Sequence, residues 1–355
     1  MSLGAEKGKS GQGFYNEMES EKINRKSFSS RKRGIHMKDQ LVKALVLNEH
    51  VRVYAARTTD LVREAQRRFS LPPTATAALG RVLSVATIMG SMLKSDQELL
   101  TINLQGNGPA GGIVVDAEAN GDVRGFVANP QVDLPPKADG HLDVGGFIGS
   151  EGFLTVTKDM HMQDNWSGTV ELQSGEIGLD FAYYFTVSEQ TPTAVSVGVR
   201  VGTDGVCETA GALVIQMLPG ADDTDISICE HVLSGLRPMS EIIEEYDDAS
   251  MADFVKDIFE DARILETRDV HYRCTCSRES TSRVLSTLSA DQLEKMIEED
   301  HGADVTCNFC NETYHFDEDD LRKILEAGQK KLEQEEKNLE ETSELEAHVV
   351  SDQGN

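Results

Sequence analysis

No stretch of the 355-residue chain has the length and purity that a bilayer span requires. The longest apolar run, Ala77 to Leu93, is broken by Arg81, Ser84, Thr87 and Ser91, short of the ~18 clean apolar residues needed. That absence argues against a helical membrane protein. Positive charge is equally scarce: 34 Lys and Arg stand against 61 Asp and Glu, a formal net charge of −27. The segment 1–36 carries 8 Lys and Arg against 4 Asp and Glu, so setting its +4 aside leaves −31 on residues 37–355. A polyanion of this size is repelled by phosphate backbones and anionic lipid heads, and no basic patch in the body of the chain opposes that field. Neither nucleic acid nor a membrane is an expected partner. The N-terminus also lacks the apolar core of a secretory signal, so a cytoplasmic location is expected. Cysteine, at 6 residues, is too sparse for a disulfide scaffold.

What remains is the composition of a soluble globular protein, with 39% hydrophobic and 27% charged residues. The length suggests two domains with a smaller third module. Residues 1–36 mix Gly, Ser, Lys and Asn without apolar periodicity and read as a disordered extension or tag. A basic targeting arm at Arg31-Lys32-Arg33 is the weaker reading, since the cluster is short. Residues 37–221 read as an α+β core, an antiparallel-rich sheet with packed helices. A helix-like pattern at Leu41, Leu45 and Leu47 opens it. Helices are expected at Thr59 to Phe69, with Leu61, Val62 and Ala65 on one face, and after Pro72-Pro73 through Leu79, Val82, Leu83, Ala86 and Met89 to Met92. Strands follow at Leu99 to Leu104, Gly112 to Ala117 and Val123 to Val127, with Asn120-Gly121 supplying the positive φ angles of a tight hairpin. Further strands are readable at Phe153 to Thr157, Thr169 to Leu172, Ala182 to Val187 and Ala194 to Val201. The glycine-rich Gly106 to Gly112 lacks the Lys-Ser/Thr of a phosphate loop and leads into a strand, so it reads as a turn.

Residues 222–270 form an acidic helical linker. Over 237–269 there are 11 Asp and Glu against 4 Lys and Arg, yet Ile242, Ile243, Tyr246, Phe254, Ile258 and Phe259 recur at helical spacing. Ser250 is placed to cap a helix, with Asp253 as its capping-box partner. At rest such a stripe docks on the neighbouring domain, but short charged helices are marginal without that support. Residues 271–326 carry the cysteine motifs, and 327–355 are a low-complexity acidic tail.

Four of the six cysteines cluster as Cys274-Thr-Cys276 and Cys307-Asn-Phe-Cys310. Two thiol pairs joined by one foldable stretch are what tetrahedral Zn²⁺ needs, each pair giving two ligands from one knuckle. In a reducing cytoplasm structural disulfides are disfavoured, which points further to metal. A small, purely structural four-cysteine zinc domain is one reading. The other uses the same atoms as a switch. Metal-bound thiolates are nucleophilic toward peroxide or hypochlorous acid, and each partner lies close enough in sequence to capture a sulfenic acid as a disulfide. Metal loss would then unfold the module, because zinc binding free energy is folding free energy in small metal domains. Arg273 and Arg278 flank the first pair and are expected to favour thiolate there. Cys207 and Cys229 stand alone and read as small core residues.

The motifs Tyr272-Arg-Cys274-Thr-Cys276-Ser-Arg-Glu279, Met296-Ile-Glu-Glu-Asp300 and Val305-Thr-Cys307-Asn-Phe-Cys310-Asn-Glu-Thr-Tyr314 resemble the redox-regulated 33-kDa chaperonin family, heat-shock protein 33, over residues 37 to about 325. Gly106 to Gly112, Gly125 to Pro130, Tyr184 to Pro192 and Ala210 to Pro219 agree with that pattern. Ala212, where a second glycine is expected, departs from it, and the N-terminal extension and acidic tail are atypical. The resemblance implies an ATP-independent holdase, inactive when reduced and bound to one zinc through Cys274, Cys276, Cys307 and Cys310. Oxidation would join Cys274 to Cys276 and Cys307 to Cys310, release zinc, unfold the linker and expose apolar surface to unfolding client proteins. It also implies dimers in the oxidised state and hand-off of clients to ATP-dependent foldases.

Two rivals are weaker. A thiol-disulfide oxidoreductase using Cys307 and Cys310 would place them at a helix N-terminus in a βαβ unit, and nothing before Cys307 reads as such a strand. His141, His161 and His231 are scattered without partners. A zinc-stabilised interaction module of the nucleic-acid-binding kind is opposed by the charge and by the lack of a basic face with interleaved aromatics. No catalytic role is expected.

Overall fold

The computed structural model describes residues 37–160 and 165–330. The arm with Arg31-Lys32-Arg33, His161 and the tail beyond residue 330 lie outside the described residues. Strands β1 (Gln40–Val46) and β2 (Val51–Arg57) form a hairpin that is buried on both faces. Leu41 and Leu45 therefore lie on a strand, and Leu47 in the turn after it, rather than on a helix. Leu41 faces one core while Val42, Ala44 and Val46 face another, so the strand lacks the polar alternation that marks a half-exposed one.

The next two helices form where the sequence places them. In α1 (Thr59–Phe69) Leu61, Val62 and Ala65 are buried, and α2 (Pro73–Gly90) starts at its proline, whose missing N–H costs nothing in a first turn. Strands β3 (Leu99–Gly106), β4 (Ile113–Glu118) and β5 (Asp122–Val127) make a meander. At its turn only Gly121 takes a positive φ, +93°; Asn120 instead accepts from the N–H of Asp122 through its side chain (2.8 Å). Between β3 and β4 the glycines allow close backbone approach rather than phosphate binding. A Cβ on Gly108 would lie 2.5 Å from the carbonyl oxygen of Phe147, which belongs to α3 (Val144–Ile148).

Strands β6 (Gly152–Asp159) and β7 (Trp166–Glu171) extend this sheet. Ala182 to Val187, whose β-branched and aromatic residues suggest a strand, belong to helix α4 (Gly178–Val187). Burial of Phe181, Tyr184 and Phe185 at helical spacing overrides strand propensity. Asp180 anchors that helix, accepting from the N–H groups of Gln173 (2.7 Å), Ser174 (2.8 Å) and Ile177 (2.8 Å). Strands β8 (Thr193–Val201) and β9 (Cys207–Met217) follow as a hairpin.

Three helices, α5 (Asp223–Gly235), α6 (Met239–Glu245) and α7 (Met251–Ile258), make up most of the acidic segment. Ser250 caps α7 with Asp253 as its reciprocal partner. The segment does not stay helical: β10 (Arg263–Asp269) pairs antiparallel with β1, and β11 (His271–Tyr272) pairs parallel with β5. Alternate residues of β10 are partly buried against the sheet edge, a period-two pattern hidden by its charges.

The first sheet has the order β10-β1-β2-β9-β8 and the second β11-β5-β4-β3-β6-β7. Helix α2 lies between them, buried along nearly its whole length and touching β8 and β9 on one side and β4 and β5 on the other. The outer face of the first sheet is apolar. Val42, Ala44, Val53, Ala55, Leu213 and Ile215 pack there against Met239, Ile242, Ile243, Met251, Phe254 and Phe259 of the acidic segment. The remaining residues form α8 (Arg278–Leu285), α9 (Ala290–Glu298), the hairpin β12 (Gly302–Thr306) and β13 (Thr313–Asp317), and a helix over residues 318–330. Their own core is Leu285, Leu293, Ile297, Phe316, Leu321 and Ile324, too small to hold a module of that length without a staple.

Asp39, at the entry to β1, is buried, and its carboxylate accepts from the N–H of Leu61 at the start of α1 (2.7 Å). Burial pushes its pKa up from 3.8 to about 6, against the pull of the Leu61 and Asp60 N–H groups. The folded state thus takes up a proton more readily than the unfolded chain. The stabilisation this gives is complete below the unfolded value and is lost as pH rises through about 6. Asp39→Asn removes that dependence. In urea titrations the variant is expected to gain about 2 kcal/mol on the parent between about pH 4 and pH 7. An unchanged difference across that range would contradict the assignment.

Candidate metal centre

Cys274 and Cys276 lie on the loop from β11 to α8, Cys307 follows the last residue of β12, and Cys310 sits in the turn before β13. That turn is closed by hydrogen bonds from the N–H groups of Cys310 (3.3 Å) and Asn311 (2.8 Å) to the Cys307 carbonyl and from the Cys307 N–H to the Glu312 carbonyl (2.9 Å). Asn311 adopts a left-handed φ of +60°, one that asparagine tolerates better than most residues. The four residues singled out by their spacing are brought together. All four Sγ atoms lie within 4.8 Å of one another, with Cys276 and Cys310 at 3.3 Å and Cys274 and Cys307 at 3.8 Å. Tetrahedral coordination with Zn–S bonds of about 2.3 Å would place sulfurs ~3.8 Å apart. The donor set and its spacing fit a metal ion, and none of the four is in a disulfide.

The local electrostatics set Cys276 apart from Cys274 and Cys310. Burial pushes the Cys274 and Cys310 thiols up. Burial acts the same way on Cys276, but the Tyr314 hydroxyl (3.2 Å) and the neighbouring thiols outweigh it and hold this group below the ordinary thiol range. Backbone N–H groups of Cys276 and Glu312 point at the sulfurs of Cys274 and Cys310. A cluster of like charges at this separation needs a multivalent cation to hold all four deprotonated.

Arg273 and Arg278 do not serve the thiols. Arg273 reaches Asp122 (3.4 Å), and Arg278 pairs with Asp320 and stacks over the Phe316 ring at 4.3 Å. The cation beside the cluster is Arg124 of β5. Its guanidinium is fixed by Asp116 (2.9 and 3.1 Å), donates to the Thr275 hydroxyl (3.0 Å) and faces the Cys274 sulfur. It also stacks on Phe309 at 4.8 Å, and Phe309 meets Phe126 edge-on at 5.2 Å. The Tyr272 hydroxyl donates to the Phe309 carbonyl, and Arg68 of α1 donates to the Cys310 carbonyl (3.4 Å). The cysteine knuckle is thus clamped to β5 and α1. Arg124, Tyr314, Phe309 and Arg68 carry no local sequence signal for this role, because three strands and a helix must meet before they do.

The other candidates stay apart from the cluster. Cys207 and Cys229 are buried core residues, their thiols pushed up by burial to about 12 and about 11. His141 is exposed beside Asp139, and His231 is exposed on α5. Cys307 and Cys310 lie at a hairpin tip, away from the helix N-terminus that a dithiol oxidoreductase uses to activate its thiolate.

A family model described as Hsp33 protein matches residues 39–317. This chain belongs to the Hsp33 family. Proteins named 33 kDa chaperonin from Bacillus cereus (strain AH187), Bacillus anthracis (strain CDC 684 / NRRL 3495) and Bacillus thuringiensis subsp. konkukian (strain 97-27) are each 47% identical to it over 292 residues, covering 82% of this chain and 99% of theirs. The crystal structure of the 33 kDa chaperonin (heat shock protein 33 homolog) from Thermotoga maritima matches with a TM-score of 0.76 at 34% identity, covering 82% of this chain and 98% of that one. The Hsp33 assignment and the four-cysteine cluster together fit a chaperone. No helix among the described residues is long and apolar enough to cross a membrane.

Proposed function

We propose that this Hsp33 family member is a cytoplasmic, redox-regulated, ATP-independent holdase with a four-cysteine zinc switch. The observation that carries the reading is a pairing of two features. Four thiols converge at one point, and the chain leading to them covers an apolar sheet face. In this reading residues 37–221 are the chaperone core, 222–270 the releasable linker, 271–326 the zinc module and 327–355 an acidic tail. Bound Zn²⁺ would hold the four sulfurs as thiolates and staple a module whose own core is small.

Each disulfide takes two electrons from a thiolate pair, and with two protons from water these reduce one peroxide to two waters. The product sulfurs carry no charge with which to hold a cation. Pairing of Cys274 with Cys276 and of Cys307 with Cys310 is what the resemblance to the Hsp33 family implies, and one physical argument supports it. Sequence neighbours stay close when the module opens, whereas contacts across the two motifs are lost. The linker then has no anchor at its C-terminal end, and its helices are too short to persist alone. The uncovered face would bind unfolded clients, for later hand-off to ATP-dependent foldases, with the oxidised protein acting as a homodimer.

The test treats the zinc-loaded, reduced protein with peroxide at mild heat and follows metal release with a colorimetric chelator and client aggregation by light scattering. Metal release and suppression of aggregation are expected to rise together and to be reversed by reductant. Metal release without holdase activity would make the site purely structural and remove the switch.

A further inference from the structure

Arg57, the last residue of β2, is 1% exposed, an unusual place for a guanidinium. Its hydrogen bonds go to backbone, and most of them to the acidic segment. Nη2 donates to the carbonyls of Tyr246 and Ala249 (3.0 Å), in the turn between α6 and α7, while Nη1 donates to the Met37 carbonyl (3.3 Å). The N–H of Met37 in turn donates to the Asp247 carbonyl (3.1 Å). Asp247 and Asp248 of the segment and Asp39 and Asp60 of the core surround the guanidinium, so its charge is met from both sides of the contact. Nε and one oxygen of Asp39 have no hydrogen-bond partner among the described residues. Unpaired buried groups weaken a closed state, which suits a contact that has to open.

We propose that Arg57 is the positioning residue that latches the acidic segment onto the outer face of the first sheet. The position also connects the latch to the metal centre. Helix α1 begins two residues after Arg57, and near its far end Arg68 donates to the Cys310 carbonyl and accepts from the Asn311 side chain (3.0 Å). A single rigid helix about 16 Å long therefore touches the thiol knuckle near one end and leads out of the latch at the other. This inference rests on the holdase reading only for its activity readout.

The test compares Arg57→Met, Arg57→Lys and the parent, all reduced and zinc-loaded. In Arg57→Met, amide exchange over residues 239–258 is expected to run about a hundredfold faster, while α2 stays protected and the chelator finds the metal still bound. Such a protein should suppress client aggregation without peroxide. Arg57→Lys keeps the charge but not the fork, and should fall between the two. Parent-like protection of 239–258 in Arg57→Met would overturn the latch. So would loss of protection across α2 in both variants, which would make Arg57 a general support of the fold. If the oxidised parent is no holdase, the proposed function fails, while the exchange comparison still decides the latch.

Discussion

Cys310→Ser is expected to unfold the C-terminal module while leaving the two-sheet core intact. Cys310 is the most buried of the four thiols, and its replacement leaves a cation with three thiolates. In small zinc modules metal binding supplies about 10–16 kcal/mol of apparent folding free energy, and losing a ligand removes a large share of it. Against that loss stands a core of six buried apolar residues, led by Phe316 and Leu321. Hydrogen exchange over α8 and α9 should approach that of an unfolded chain, and zinc should be lost to a weak competitor. Protection of α2, which is buried between two sheets, should not change. A variant that loses zinc yet keeps α8 and α9 protected would show that packing alone holds the module and that the metal is not its staple.

Phe254→Ala is expected to open the outer sheet face in the reduced protein. Phe254 is buried against that face, and its ring meets Tyr246 edge-on at 5.3 Å. Truncating a buried phenylalanine costs about 3–5 kcal/mol. A segment of short helices that keeps its place by docking has little margin for such a loss. The reduced variant should bind a hydrophobic dye and suppress aggregation without peroxide, with its zinc retained. A variant that remains inactive and dye-negative while its thiols behave normally would place the client surface somewhere other than beneath the acidic segment.

The parts of the fold that can be read from the sequence are those whose signal is local. Pro72-Pro73 marks the start of α2, Ser250 and Asp253 mark α7, and the alternation of Leu100, Ile102 and Leu104 marks β3. The misread parts are those where a partner decides. β1 is buried on both faces and shows no alternation. Ala182 to Val187 have strand propensity, yet they are helical because Asp180 gathers four backbone donors and the aromatic side chains share one face. Residues 263–269 continue an acidic stretch but add a strand to the edge of β1. The candidate site divides the same way. The cysteine spacing is visible in one dimension. Tyr314 against Cys276, Arg124 against Cys274 and Arg57 against the α6–α7 turn are contacts between segments far apart in sequence, and no spacing encodes them.

In the proposed switch, thiol chemistry at residues 274–310 governs whether residues 239–258 stay docked. The most direct measurement is pulsed hydrogen exchange with mass spectrometry during peroxide treatment of the zinc-loaded protein, with zinc release followed in the same sample. Exchange over 239–258 is expected to rise in step with zinc release while α2 remains protected, and to fall again after reduction and zinc return. Complete zinc release with 239–258 still protected would separate the metal centre from the linker and contradict the account.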